Sequence, residues 1–138
     1  MRLGVTGSRN YDNWQFVTSW LDRLHARYGI DCLIHGAAKG WDWHSQAWAQ
    51  RNRIPDDPYP ADWDNITRPG AVVRRNRRGK LYDAAAGPYR NERMLREGRP
   101  EYAIAFPGGR GTRDMMIRCW EYGLEPFVCR RPIQGISG

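Results

Sequence analysis

Apolar residues occur along the chain in short uniform runs that alternate with longer amphipathic stretches. The first run, Leu3 to Thr6, stops at the turn residues Gly7-Ser8-Arg9 and predicts a buried parallel strand. After Asp12, apolar residues recur every three or four positions up to Gly29, which predicts an amphipathic helix packed on that strand. This stripe comprises Trp14, Val17, Leu21, Leu24 and Tyr28.

The succession of strand, glycine turn and helix then repeats. Ile30 to Ile34 is uniformly apolar, as expected for a strand buried on both faces, and leads into the turn His35 to Gly40. The following segment, Trp41 to Asn52, predicts a helix with one face formed by Trp41, Ser45, Trp48 and Ala49. This alternation indicates a parallel sheet, because parallel neighbours need crossover connections long enough for a helix.

Further elements follow towards the C-terminus. The prolines between Pro55 and Pro60 leave room only for a short edge strand. Pro88 suits the first turn of a helix, Tyr102 to Phe106 predicts the next buried strand, and a further helix ends at Gly123. Pro126 to Cys129 predicts the last strand.

These elements predict an α/β fold: a single Rossmann-like, doubly wound domain over residues 1–130 with a mostly parallel five-stranded sheet. Residues 131–138 are expected to form a flexible C-terminal tail. The length of 138 residues and the hydrophobic content of 41% suit one domain. The sequence has no long uncharged apolar run, and its start does not resemble a secretory signal, so we expect a cytoplasmic protein.

The three cysteines predict no covalent or metal framework. Cys32, Cys119 and Cys129 are an odd number, lie far apart and form no Cys-x-x-Cys pattern. Each lies in an apolar neighbourhood, so we expect buried, reduced thiols.

Positive charge is concentrated in one segment, residues 64–83, which shows no clear periodicity and is predicted to be a basic loop or lid. Without the six basic residues of this segment, the formal net charge of +7 falls to +1. Three interpretations stay open: a solvated loop, a lid that clamps phosphates, or a contact for nucleic acid. The six residues are Arg68, Arg74, Arg75, Arg77, Arg78 and Lys80.

The turn Pro107 to Thr112 has the strongest physical case for a binding site. In a doubly wound sheet the ligand lies beyond the carboxyl ends of the strands, where this turn and those at Gly7-Ser8-Arg9 and His35 to Gly40 would meet. Its glycines let the backbone approach an anion, Thr112 could cap the next helix, and the helix offers free N–H groups. A tight connection without a ligand is the alternative.

Five motifs in order resemble the YspA/cpYpsA-related branch of the SLOG superfamily. They are Thr6-Gly7-Ser8-Arg9, His35-Gly36-Ala37-x-x-Gly40-x-Asp42, Pro60-Ala61-Asp62-Trp63, Ala86-Gly87-Pro88-x-Arg90-Asn91-x-x-Met94 and Phe106-Pro107-Gly108-Gly109-x-Gly111-Thr112. The resemblance spans residues 3 to 128 and implies a Rossmann-like fold. Many members of this branch look phage-encoded, and superfamily relatives commonly form dimers, so a homodimer or higher homo-oligomer is expected from the resemblance.

The superfamily also contains the LOG phosphoribohydrolases, which release a base from a nucleoside 5′-monophosphate, and DprA, which binds single-stranded DNA. The segments Arg90 to Met94 and Pro107 to Thr112 are similar in order and spacing to LOG motifs. LOG enzymes carry a catalytic glutamate where this chain has Met115, which cannot transfer a proton. Asp114 is one residue earlier and is explained more simply by the helix dipole.

Candidate catalytic residues are therefore Asp42, Asp62 and Arg90. The resemblance places both aspartates near the crevice, where either could bind a ribose hydroxyl or act as a base. Equally, Asp42 could cap the second helix and Asp62 could form an Asx turn. His35 is expected to donate to the ligand or to fix the loop. Neither a metal nor a cofactor is expected, because His35, Asp42 and His44 lack a helical ligand spacing.

The first hypothesis is a protein that binds a nucleotide-derived ligand: a nucleoside monophosphate, an ADP-ribose derivative or a cyclic nucleotide signal. A phage-encoded member would act as a sensor or sponge in anti-defence. A LOG-like N-glycosidic hydrolase and a DprA-like binder of single-stranded DNA are the alternatives. The predicted ligand-binding residues are Gly7, Ser8, Arg9, His35, Gly36, Lys39, Asp42, Trp63, Arg90, Asn91, Pro107, Gly108, Gly109, Arg110, Gly111 and Thr112.

Overall fold

A parallel sheet of five strands forms the centre of the computed structural model, which describes residues 1–7, 13–38 and 41–129, the Trp41 side chain excepted. The elements in chain order are β1 (Arg2–Thr6), α1 (Trp14–Tyr28), β2 (Cys32–His35), α2 (Trp41–Arg51), β3 (Asp56–Pro58), β4 (Val73–Arg75), β5 (Leu81–Asp83), α3 (Ala86–Arg96), β6 (Tyr102–Ala105), α4 (Arg110–Glu121) and β7 (Phe127–Val128). The strand order is β3-β2-β1-β6-β7, so the predicted α/β fold with a five-stranded parallel sheet is confirmed.

The two faces of the sheet bury different residues of each central strand. Leu3, Val5 and Leu33 pack with α1 and α2, whereas Ile34 and Ala103 pack with α3 and α4. This alternation follows from the two-residue period of a strand. The ends of β1, β2 and β6 are therefore held between two helical layers.

The apolar face of α1 differs from the predicted stripe at both ends. Trp14 and Tyr28 are exposed, and Phe16 is buried instead. Asn13 caps the helix by accepting a hydrogen bond from the Phe16 N–H at 3.1 Å. The prediction failed at the helix ends because the stripe was extended beyond the turns that face the sheet.

The predicted loop of residues 64–83 contains a β-hairpin. Strands β4 and β5 pair antiparallel through Val73 and Asp83, and Gly79 turns with a positive φ of 79°. The hairpin was missed because neither face is apolar and buried: Val73 and Leu81 are exposed, and arginines occupy much of the rest. Without a buried face, a strand has no hydrophobic alternation to recognise.

Other local expectations also need correction. Thr112 lies inside α4, whose N-cap is Gly109 with no side-chain cap, so Thr112 is not the cap. Cys119 and Cys129 are buried, but Cys32 is only half-buried; all three are free thiols whose pKa is raised, in the first place by burial. Among the described residues no helix is long and apolar enough to cross a membrane.

Candidate functional site

A cleft of about 710 Å³ lies beyond the carboxyl ends of the central strands. Thr6 and Gly7 reach it from β1, Gly36 to Ala38 follow β2, and Gly109 to Thr112 begin α4 after β6. Trp63 lines it from the segment before the hairpin. This position is the one expected for a ligand in an open α/β sheet.

Arg90 joins α3 to the backbone of the loops that follow β2 and β3. Its Nη1 donates to the carbonyl oxygen of Gly36 at 2.7 Å and to that of Tyr59 at 3.4 Å. Its Nε donates to Asn91 Oδ1 at 3.1 Å. These three acceptors fix the plane of the guanidinium. Arg90 lines the cleft, and burial lowers its pKa.

Asn91 extends this network into the first turns of α4. Its Nδ2 donates to the carbonyl oxygen of Gly111 at 3.1 Å and to Asp114 Oδ2 at 3.0 Å. Asp114 also accepts from Arg118 Nε at 2.8 Å. Asp114 is thus held by Asn91 and Arg118. It also lies beyond the first turn of α4, so the prediction that it interacts with the helix dipole is wrong.

The amino end of α4 presents backbone donors to the cleft. The first helical hydrogen bond joins the Arg113 N–H to the Gly109 carbonyl at 3.0 Å, so the N–H groups of Arg110, Gly111 and Thr112 precede the helical ladder. A Cβ at Gly109 or Gly111 would meet no atom of the described residues within 4 Å. The absence of side chains there leaves the backbone open to an approaching anion.

Asp42 is a buried carboxylate in the wall of the cleft. It lies in the first turn of α2, inside the helix, and therefore does not occupy the N-cap position. Its Oδ2 accepts from the Ala38 N–H at 3.4 Å, but its Oδ1 is buried without a hydrogen-bond partner in the described part of the chain. Burial raises the pKa of Asp42 to about 6, although the charge of Arg90 opposes the rise.

His35 fixes the loop after β2. The fully buried ring accepts from the Ala37 N–H at Nδ1, 3.0 Å away, and its Nε2 lies 2.8 Å from Asp56 Oδ2. Because Nδ1 is an acceptor, Nε2 carries the proton and donates to Asp56. Both ring nitrogens are thus occupied within the protein, which favours the loop-fixing role over donation to a ligand.

The structure brings most of the predicted ligand-binding residues together in this cleft. Those that line it are Gly7, Gly36, Asp42, Trp63, Arg90, Asn91, Gly109, Arg110, Gly111 and Thr112. His35, Pro107 and Gly108 are not among the lining residues, and the exposed Asp62 is not either. Ser8, Arg9 and Lys39 lie outside the described residues. Sequence reasoning missed Ala84, which carries no chemical signal, and Asp114, which lines the cleft although the sequence favoured a helix-dipole role for it.

The structure also places Met115, which stands where LOG enzymes carry their catalytic glutamate. Met115 is buried with Ile34, Met94 and Cys119 in the core beneath α4, so its position does not face the cleft. In the part of the chain that the structure describes, no three His, Cys, Asp or Glu side chains are grouped to hold a metal ion.

The basic residues of the 64–83 segment divide into two groups. Arg68 is structural: its Nη2 donates to the buried Asp83 at 2.9 Å, and its guanidinium lies 4.3 Å from the Tyr89 ring centroid. The other five are exposed on the hairpin, with Lys80 paired to Asp64 at 2.9 Å. These five are Arg74, Arg75, Arg77, Arg78 and Lys80.

A family model matches residues 1–65, the part of the chain from β1 to the loop after β3. The model describes the YspA, cpYpsA-related SLOG family. Residues 1–65 are therefore similar to members of this family. The resemblance inferred from the motifs is confirmed over these residues, which supply the turns after β1 and β2 and the residue Trp63. No curated protein matches the chain in sequence.

Nearly the whole chain resembles a solved structure in its fold. The X-ray structure of DNA processing protein A (DprA) from Streptococcus pneumoniae superposes with a TM-score of 0.67 at 20% identity. The match covers 98% of this chain and 52% of DprA, so the chain spans about half the length of that protein. At this identity the likeness shows a shared fold.

Proposed function

We propose that the cleft binds a nucleotide or nucleotide-derived ligand, with its phosphate held between the amino end of α4 and Arg90. The observation that carries the proposal is the linkage of these two anion-binding features by Asn91, which bonds to both. Backbone amides at a helix start and a guanidinium in a fixed plane both favour a phosphate. The volume of about 710 Å³ lies within the range of small-molecule sites.

Binding without turnover is the form of this function that we favour. The LOG-type acid is replaced by Met115, which is buried in the core. A protein that holds a nucleoside monophosphate, an ADP-ribose derivative or a cyclic nucleotide without cleaving it would suit a sensor or a sponge for such signals, including an anti-defence sponge. Release of free base on incubation with these compounds would favour the hydrolase instead.

The test is a calorimetric and thermal-shift screen with the four nucleoside 5′-monophosphates, ADP-ribose, 3′,5′-cyclic nucleotides and inorganic phosphate. We expect at least one nucleotide to bind and the Arg90→Lys variant to bind it about tenfold more weakly, because lysine lacks the planar donor set. Arg96→Lys, on the exposed side of the same helix, is the matched control. Failure of every nucleotide to bind the wild-type protein would overturn the proposal.

A second candidate function is the binding of single-stranded nucleic acid. The specific observation is the exposed hairpin, on which Arg74, Arg77 and Arg78 have no carboxylate partner among the described residues. A cluster of exposed cations favours phosphate backbones. Titration of a fluorescent oligonucleotide at low salt tests it, and the absence of binding there would eliminate it.

A further inference from the structure

The carboxylate of Asp42 is a polar group in the cleft wall whose hydrogen bonding is incomplete. Its Oδ1 is buried and has no hydrogen-bond partner among the described residues, although the residue lines the cleft and only 7% of its surface is exposed. A buried carboxylate oxygen without a donor costs free energy in the unliganded protein. A ligand donor at this position would remove that cost.

The neighbours of Asp42 fix its orientation. Oδ2 faces the backbone amide of Ala38, and Gly36 separates the carboxylate from the Arg90 guanidinium. A Cβ placed on Gly36 would lie 3.0 Å from Asp42 Oδ2 and 2.7 Å from Arg90 Cζ. The glycine thus permits an acceptor and an anion-binding cation to lie side by side along the cleft.

We propose that Asp42 accepts a hydrogen bond from a sugar hydroxyl of the bound nucleotide and so makes the cleft selective for ribose over deoxyribose. The inference rests on the proposed nucleotide-binding function. Phosphate on the α4 side and a sugar hydroxyl on the α2 side match a nucleotide that spans the crevice. A carboxylate accepts only, so it distinguishes a hydroxyl from the hydrogen that replaces it in a deoxynucleotide.

The experiment measures the affinity of the tightest nucleoside 5′-monophosphate from the screen and of its 2′-deoxy and 3′-deoxy analogues. Removing the recognised hydroxyl should weaken binding to the wild-type protein about tenfold or more, as for a hydrogen bond to a charged group. In Asp42→Asn, the amide oxygen is expected to stay on the Ala38 N–H, which places an NH₂ donor where the free acceptor was. We expect this variant to bind ribonucleotide and deoxynucleotide with similar affinity.

Ser45→Ala is the matched control, because Ser45 is one helical turn further along α2 and its buried Oγ also has no hydrogen-bond partner among the residues that the structure describes. This control should keep the ribose preference of the wild-type protein. Equal affinity of the wild-type protein for the nucleotide and both analogues, or a ribose preference that Asp42→Asn retains, would overturn the inference and leave nucleotide binding intact. Failure of all nucleotides to bind would overturn the proposed function and the inference with it.

Discussion

At the scale of single residues, Asp42 shows why the sequence could indicate a site without describing it. The motif placed this aspartate near the crevice, but a helix cap and a ligand contact were equally compatible with its position. The structure excludes the cap, because Asp42 lies inside α2, and it places the residue beside Arg90, which comes from a segment 48 positions later. Contacts between residues so distant in sequence leave no local pattern.

We predict that Asp42→Asn stabilises the unliganded protein near neutral pH. The charge of Arg90 favours the ionised carboxylate, but burial outweighs it and raises the pKa of Asp42 to about 6. The native state therefore binds more protons than the unfolded state between about pH 4 and pH 6, and the stability contributed by this group falls as pH rises through that window. The ionised form then costs up to about 3 kcal/mol.

Chemical denaturation at pH 4.5 and pH 7.5 measures this effect. The free energy of unfolding of Asp42→Asn should exceed that of the wild-type protein by about 1–3 kcal/mol at pH 7.5, and the difference should shrink towards pH 4.5. Asp62→Asn, an exposed aspartate outside the cleft lining, should change little at either pH. A destabilised Asp42→Asn at pH 7.5 would contradict the prediction.

Gly36→Ala should remove nucleotide binding while the sheet persists. The added methyl group would lie 2.7 Å from Arg90 Cζ, so the guanidinium must leave its position. Loss of this charged donor predicts affinity about tenfold or more below wild type by calorimetry. Gly4→Ala is the control, since its methyl group would meet Pro100 at an ordinary 3.4 Å. Unchanged affinity in Gly36→Ala would show that Arg90 does not contact the ligand.

At the scale of elements, the sequence predicted helices and central strands well because each has a buried face. Leu3 to Val5 and Ile104 carry the two-residue alternation of the sheet, and Leu21 and Leu24 carry the helical one. The hairpin has no such face and is held instead by polar contacts. Asp83 is its anchor, accepting hydrogen bonds at 2.9 Å from the N–H groups of Val72 and Ala85 as well as from Arg68.

We predict that Asp83→Ala releases the hairpin from the domain. Burial alone would raise the pKa of Asp83, but its hydrogen bonds and Arg68 hold that pKa below its usual value, so the carboxylate is charged at neutral pH. Its removal leaves Arg68 and the two backbone donors without their acceptor. Hydrogen exchange of the amides between residues 72 and 85 should accelerate by about an order of magnitude or more, whereas α1 should remain protected.

Asp64→Ala provides the control for this release, because Asp64 also pairs with a hairpin cation but both partners are largely exposed. Such a surface pair contributes little to stability, so hydrogen exchange in the hairpin should stay close to that of the wild-type protein. Equal exchange in both variants would mean that the Asp83 side chain is not the anchor.

The Asp83 N–H also donates to the Trp63 carbonyl at 2.8 Å, which connects the hairpin to the cleft wall.

At the scale of the whole molecule, the alternating elements predicted a doubly wound parallel sheet, which fixes where a ligand site opens. The cleft could therefore be located from the turns after β1, β2 and β6. The hydrogen-bond network in the cleft wall could not be predicted from the sequence, because it joins residues from three separate segments of the chain. These residues are Gly36, Arg90, Asn91 and Gly111. Homo-oligomer formation, expected from the resemblance, stays a prediction.

The net charge of +7 is distributed so that a nucleotide and a nucleic acid would depend on different parts of the molecule. Replacing Arg74, Arg75, Arg77 and Arg78 with glutamine removes four exposed charges without touching the cleft lining. If the hairpin binds single-stranded DNA, this variant should reduce the slope of log affinity against log salt by up to about 3, because each neutralised phosphate releases counterions. Its nucleotide affinity should equal that of the wild-type protein. Loss of nucleotide binding in the same variant would instead make the hairpin a lid whose arginines clamp the ligand in the cleft.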